Sequence, residues 1–168
     1  MELSYIKDRI QDSIEVKERI LQDQTLLNSI SKISEEIIEA YKRRNKVLFC
    51  GNGGSSADAQ HLASELSGKC YLDRDPLNAE SLSVNSAYIT ATAKDFGYDH
   101  VFSRLVKAKG VKGDILIGLS TSGNSKNVVN ALEQGQLLGM ITVGMTGESE
   151  GKLDVYCDYL IKAPSKDT

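Results

Sequence analysis

The stretch "FCGNGGSSADAQHLASEL", Phe49 to Leu66, decides how the rest of the chain reads. Three glycines fall within four positions, followed by small polar residues and a run of helical character. A glycine-rich turn leading into a helix marks the junction of a strand–helix unit, where backbone N–H groups can approach an anion closely. The turn carries no lysine or arginine. A P-loop needs Gly-Lys followed by Ser or Thr, whereas Gly54 is followed by Ser55 and Ser56, which argues against a nucleoside triphosphate.

On either side of this junction the hydrophobic pattern changes character. From Ile6 to Tyr41 apolar residues recur at helical spacing (Ile6, Ile10, Ile14, Leu21, then Leu27, Ile30, Ile33, Ile37, Ile38), which predicts two amphipathic helices. Their apolar faces can cover a sheet or, for the first helix, pack on a partner subunit, and the second alternative is favoured. Beyond "YKRRNK" come five strand-length apolar runs, "KVLFC", "AESLSV", "DILIGLS", "MITVGM" and "DYLIKA". Helical stretches separate them at about 55–66, 87–93, 101–107 and 125–138. Strands alternating with helices predict an α/β protein: a parallel sheet in a three-layer α-β-α sandwich, preceded by the N-terminal helices.

Composition narrows the function. The 168 residues are 40% hydrophobic and 26% charged, enough for one core. The expectation is a single domain over 1–168, with helices in 1–44 and the α/β core in 45–168. A net charge of −3 without a basic tail argues against nucleic acid. No window is long and apolar enough to span a membrane, and "MELSYIKDRIQDSIEV" is too charged for a signal peptide. Cys50, Cys70 and Cys157 form no Cys-x-x-Cys pair, so reduced cysteines and a cytoplasmic protein are expected.

The second informative loop, "STSGNS" at Ser120–Ser125, follows "DILIGL" and precedes a helix. Ser, Thr and Asn are good caps and turn formers, but one hydroxyl suffices for a cap. Four hydroxyls, an amide and a glycine favour a phosphate monoester held by neutral donors and a helix dipole. The first loop resembles half of a dinucleotide fingerprint, but Ser56 stands at the third small position and no acidic residue follows "SLSVN", which argues against NAD. His61 and Glu65 lie four apart on one face of the helix leaving the first loop. The pair either decorates the surface or, in turns close to the ligand loop, holds a metal or moves a proton. The second alternative is favoured. His100, in "DFGYDHVFSR", has no comparable setting.

Taken in order and at these separations, "CGNGGSSADAQHLASEL", "AKDFGYDHVFSR" and "GLSTSGNSKNVVNAL" resemble the sedoheptulose-7-phosphate (phosphoheptose) isomerases of the sugar-isomerase, or SIS, fold. That resemblance implies a five-stranded parallel sheet and a homotetramer with active sites between subunits. It implies conversion of sedoheptulose 7-phosphate to D-glycero-D-manno-heptose 7-phosphate through an enediol, for lipopolysaccharide or capsule. By the same resemblance Ser120, Thr121, Ser122 and Ser125 would hold phosphate. Asn52, Gly53, Gly54 and Ser55 would line the sugar, and Lys94, Asp95 and Glu65 would also bind substrate. His61 and Glu65 would ligate one zinc ion per subunit, with Glu65 the catalytic acid/base.

The sequence departs from the family pattern at three places. Lys94 replaces an asparagine, and Lys69 stands where an arginine is common. The family's C-terminal helix, bearing a glutamine and a histidine, is expected beyond "APSKDT" and Thr168, and the remaining zinc ligands with it. The competing function is a non-catalytic SIS adaptor or sugar-phosphate sensor, such as a replication-initiation regulator. Glu65 beside His61, together with the intact "STSGNS", weighs toward the enzyme. A nucleotide-dependent oxidoreductase is opposed by the loop chemistry.

Overall fold

Val47–Gly51 (β1) and Ile115–Leu119 (β3) are buried at all five positions, as strands covered on both faces must be. In the computed structural model, which describes residues 3–167, they pair in parallel, with Val47 opposite Ile115 and Gly51 opposite Leu119. Ala79–Ser81 (β2) extends the sheet beyond β1, while Ile141–Thr146 (β4) and Tyr159–Lys162 (β5) extend it beyond β3. The order is β2-β1-β3-β4-β5, and every pairing is parallel. The five predicted runs are the five strands, although "AESLSV" contributes only its first three residues.

Side chains alternate across this sheet. Leu48, Cys50 and Leu116 point to one face, against Val101, Phe102 and Val106 of α5 (Val101–Lys109) and Val128 and Leu132 of α6 (Lys126–Leu137). Val47, Phe49, Ile115 and Ile117 point to the other. They meet Ile33 and Ala40 of α2 (Gln24–Lys42) and Ala59 and Ala63 of α3 (Gly54–Ser67). Between β2 and α5, α4 (Ser86–Phe96) is capped by Asn85, whose side chain accepts from Tyr88 N. Asp23 caps α2 in the same way through Leu26 N, ending α1 (Leu3–Gln22) one residue earlier.

The two N-terminal helices differ in how far they are buried. α2 covers the sheet. α1 has no buried residue, and Leu3, Tyr5, Ile6, Ile10 and Ile14 are between 44% and 67% exposed. Among the described residues no helix is long and apolar enough to cross a membrane.

At the amino ends of β1 and β3 a carboxylate joins the two central strands. Asp114, fully buried, accepts from Lys46 Nζ at 2.6 Å, Lys46 N at 3.1 Å, Asn45 Nδ2 at 2.9 Å and Val111 N at 2.9 Å. Burial alone would raise its carboxyl, but the hydrogen bonds from Lys46, Asn45 and the two backbone N–H groups outweigh this and hold it below its ordinary value. A depressed folded-state value contributes stability above the unfolded value of about 3.9 and loses it as pH falls toward the folded one. Asp114→Ala should therefore cost roughly 3 kcal/mol at neutral pH, because it leaves buried donors without their acceptor. Urea unfolding at pH 7 and below pH 4 checks this: the gap between wild type and variant should narrow at the lower pH.

Candidate active site

β1 and β3 are neighbours in the sheet, but α3 and α6, which follow them, pack on opposite faces. A crevice opens at such a switch point, beyond the carboxyl ends of the strands. Both glycine-containing loops lie there. Gly51 permits the first to turn tightly: a Cβ at this position would stand 2.7 Å from the backbone oxygen of Ser55. α3 therefore begins directly against the end of β1.

The hydroxyl loop is held by its backbone, leaving much of its polarity free. Ser120 N donates to Met145 O, Gly123 N to Ser120 O, and Gly147 N to Thr121 O. Ser120 is 3% exposed; its hydroxyl donates to Ser125 Oγ at 3.0 Å and accepts from Ser125 N at 3.4 Å. Ser122 Oγ accepts from Asn124 N, a local turn contact. Ser125 is the N-cap of α6, yet its side chain makes no capping bond. Helix capping thus does not account for these hydroxyls. Among the described residues the Thr121 hydroxyl and the backbone N–H groups of Thr121, Ser122, Lys126 and Asn127 have no protein partner. Unpaired N–H groups at the start of a 12-residue helix suit an anion. Lys126, the lysine nearest this helix start, is paired with Asp99 at 2.7 Å.

A cavity of about 340 Å³ joins the two loops. Gly54 and Ser55 line it from α3, Ser120 and Thr121 from the hydroxyl loop, and Thr146, Gly147 and Ser165 from the ends of β4 and β5. Asp58 also faces it, one helical turn beyond Ser55. The sequence reading missed Asp58, although its spacing of three from Ser55 on a helix leaving the loop places both on one face. Ser122 lines an adjoining hollow with Asn124 and Glu150.

The remaining candidates lie elsewhere on the chain. His61 and Glu65 are the eighth and twelfth of the 14 residues of α3, so they stand roughly 10 and 16 Å along the helix. The expectation that both occupy turns close to the loop is corrected. His61 is exposed and lines a separate hollow with Gln60, Ser64, Glu80 and Ser81. Glu65 is half-buried, and its carboxylate accepts from the Cys70 thiol, which with burial and the negative charge raises the thiol above its ordinary value. Arg74 donates to the backbone oxygens of Glu65 and Leu66, tying down the end of α3. Lys94 and Asp95 are exposed in the last turn of α4 and do not line the cavity. Lys94 there complements the helix dipole. Gly53 caps α3, and Asn52 is bound to Asn127 of α6.

A structural zinc site takes four donors, and a catalytic one three plus an open position. Among the described residues no group of three or more His, Cys, Asp or Glu is placed to hold a metal ion. His61 and Glu65 amount to half a donor set, so the described residues alone do not fit a zinc centre. Cys50, Cys70 and Cys157 are all unpaired, and burial pushes Cys50 up to about 12.

Residues 10–147 match the family model of the SIS domain. The phosphoheptose isomerase of Aneurinibacillus thermoaerophilus is 49% identical over 164 residues, 98% of this chain and 83% of that protein. The chain belongs to the phosphoheptose isomerase family of SIS-domain proteins. Solved members share the fold closely. The phosphoheptose isomerase from Francisella tularensis aligns with a TM-score of 0.93 at 32% identity, covering 99% of this chain and 88% of that one. That from Neisseria gonorrhoeae aligns at 0.91 and 34%, covering 98% and 87%. The five-stranded parallel SIS sheet expected from the sequence is the one observed.

Within this SIS domain the turn of the hydroxyl loop packs closely on the backbone of Gly151. Gly123 has φ of 66°, and a Cβ there would stand 2.9 Å from Gly151 Cα. Gly123→Ala should lower the unfolding free energy by at least about 1 kcal/mol, the cost of left-handed backbone for a residue with a side chain. Gly54→Ala, whose Cβ meets open space, should not. Thermal unfolding of the two variants beside wild type tests the contrast.

Proposed function

We propose that this protein interconverts sedoheptulose 7-phosphate and D-glycero-D-manno-heptose 7-phosphate, an entry step to heptose for lipopolysaccharide or capsule. The observation that carries the reading is the hydroxyl loop. Its Ser120 and Thr121, the latter with an unpaired hydroxyl and N–H, line a cavity large enough for a sugar phosphate, in a chain 49% identical to a protein named phosphoheptose isomerase. The phosphate sits among Ser120, Thr121, Ser122 and Ser125, and the sugar extends along Asn52, Gly53, Gly54 and Ser55. Lys94 and Asp95 contact the sugar once the site is assembled.

Isomerisation moves two protons, one from C1 to C2 and one from the C1 hydroxyl to the C2 oxygen. Glu65 takes the first from C1 of the ketose while the C2 carbonyl oxygen gains a proton, giving the enediol; C2 is then protonated as the C1 hydroxyl loses its proton to become the aldehyde. His61 and Glu65 would supply half of a zinc donor set, which would need two further donors to close. The separation of Glu65 and His61 from the phosphate cavity favours active sites completed between subunits of a homotetramer. The uncovered apolar face of α1 supports such an assembly. Phosphorylated sugars do not cross bilayers freely, and all three cysteines are unpaired, so the reaction is assigned to the cytoplasm.

Two variants test the assignment. Glu65→Gln keeps size but removes the base, and turnover of sedoheptulose 7-phosphate should fall by about 10²-fold or more. Near-native turnover of the folded variant would overturn the role of Glu65. Ser120→Ala and Thr121→Ala should each weaken sugar-phosphate binding by about 1 kcal/mol, measured by calorimetry. Unchanged affinity in both would remove the phosphate from this loop.

A further inference from the structure

Asn127, in the first turn of α6, is 3% exposed and forms a reciprocal pair with Asn52 at the end of β1, 75 residues earlier. Asn52 Nδ2 donates to Asn127 Oδ1 at 2.9 Å, and Asn127 Nδ2 donates to Asn52 Oδ1 at 2.9 Å. Asn127 Oδ1 also accepts from Val128 N at 3.0 Å, and Asn52 Oδ1 from the Tyr98 hydroxyl at 3.0 Å. Resting on the isomerase reading above, we propose that Asn127 is a positioning residue that fixes the Asn52 amide so that it offers the substrate an N–H donor and no acceptor.

The backbone dictates the direction of the whole network. Val128 N–H donates to Ser125 O at 3.0 Å and also faces the Asn127 side chain, where an amide nitrogen would oppose it, so Asn127 presents Oδ1 to it and Nδ2 to Asn52. Asn52 then answers with Oδ1, and that oxygen is filled twice, by Asn127 and by Tyr98. One Asn52 N–H is used by Asn127; among the described residues the other has no partner. Because Gly51 pairs with Leu119, Asn52 and Ser120 follow on adjacent strand ends, where the ligand crevice opens. The group that Asn52 meets is therefore a sugar oxygen acting as acceptor: a carbonyl, a hydroxyl lone pair, or the oxygen that gains charge as the enediol forms. An unfixed asparagine would present its carbonyl to that oxygen part of the time.

A double-mutant cycle separates positioning from a general structural role. Asn127→Ala should lower kcat/KM by roughly tenfold to a hundredfold, the scale on which small misplacements act. In an Asn52→Ala background the same substitution should have no further effect, whereas losses that multiply would overturn the proposal. The second measurement needs no turnover: in ¹⁵N-labelled protein, Asn127→Ala should speed exchange of the Asn52 side-chain amide protons with water. Tyr98→Phe, which removes from an exposed ring the hydroxyl that donates to Asn52 Oδ1, should do so more weakly and serves if Asn127→Ala does not fold. Unchanged exchange in a folded variant would overturn the proposal. Failure of wild type to isomerise sedoheptulose 7-phosphate would instead defeat the isomerase reading, and the exchange measurement would still decide whether Asn127 holds Asn52.

Discussion

The parallel pairing of β1 with β3 is the constraint from which the site follows. Both strands are sealed by helices on each face, so their ends are fixed relative to one another to within the register of a ladder. At the amino ends the Asp114 carboxylate fastens them together. At the carboxyl ends the chain leaves β1 toward one face and β3 toward the other, and the Asn52–Asn127 amide pair spans the divergence. Rigidity at one end and divergence at the other leave a crevice of defined width, lined by backbone that the sheet has already immobilised.

The electrostatics of the crevice explain why its loops carry no arginine or lysine. Positive potential comes from the unpaired N–H groups at the start of α6, and Lys126 is engaged by Asp99. Hydroxyls can rotate to donate to a phosphate oxygen or to accept from its protonated form. Asn52 adds a directional donor where the sugar would lie. Such a set would hold an anion without a lysine or arginine.

Much of the fold was legible because burial on both faces writes itself into the chain as uninterrupted apolar runs, seen in "KVLFC" and "DILIGL". β2 was overdrawn because an edge strand needs fewer apolar residues: Leu82 is still buried, but Val84 is 55% exposed. The hydroxyl loop was legible from local chemistry alone. His61 and Glu65 were placed too near it because same-face spacing says nothing of distance along the axis. Asn127 was invisible, since its partner lies on another strand end and an asparagine one residue past a helix start looks like a cap. Asp58 was legible in principle, from its spacing to Ser55.

The backbone character of the anion site bears on how it is inherited. Donors supplied by peptide N–H groups cannot be removed by exchanging one side chain for another. Only a proline, or a bulk that displaces the turn at Gly123, would abolish them. With phosphate held as proposed, divergent descendants of this chain would keep that handle while the sugar-facing residues drift, so new substrates could be tried without first losing the old grip.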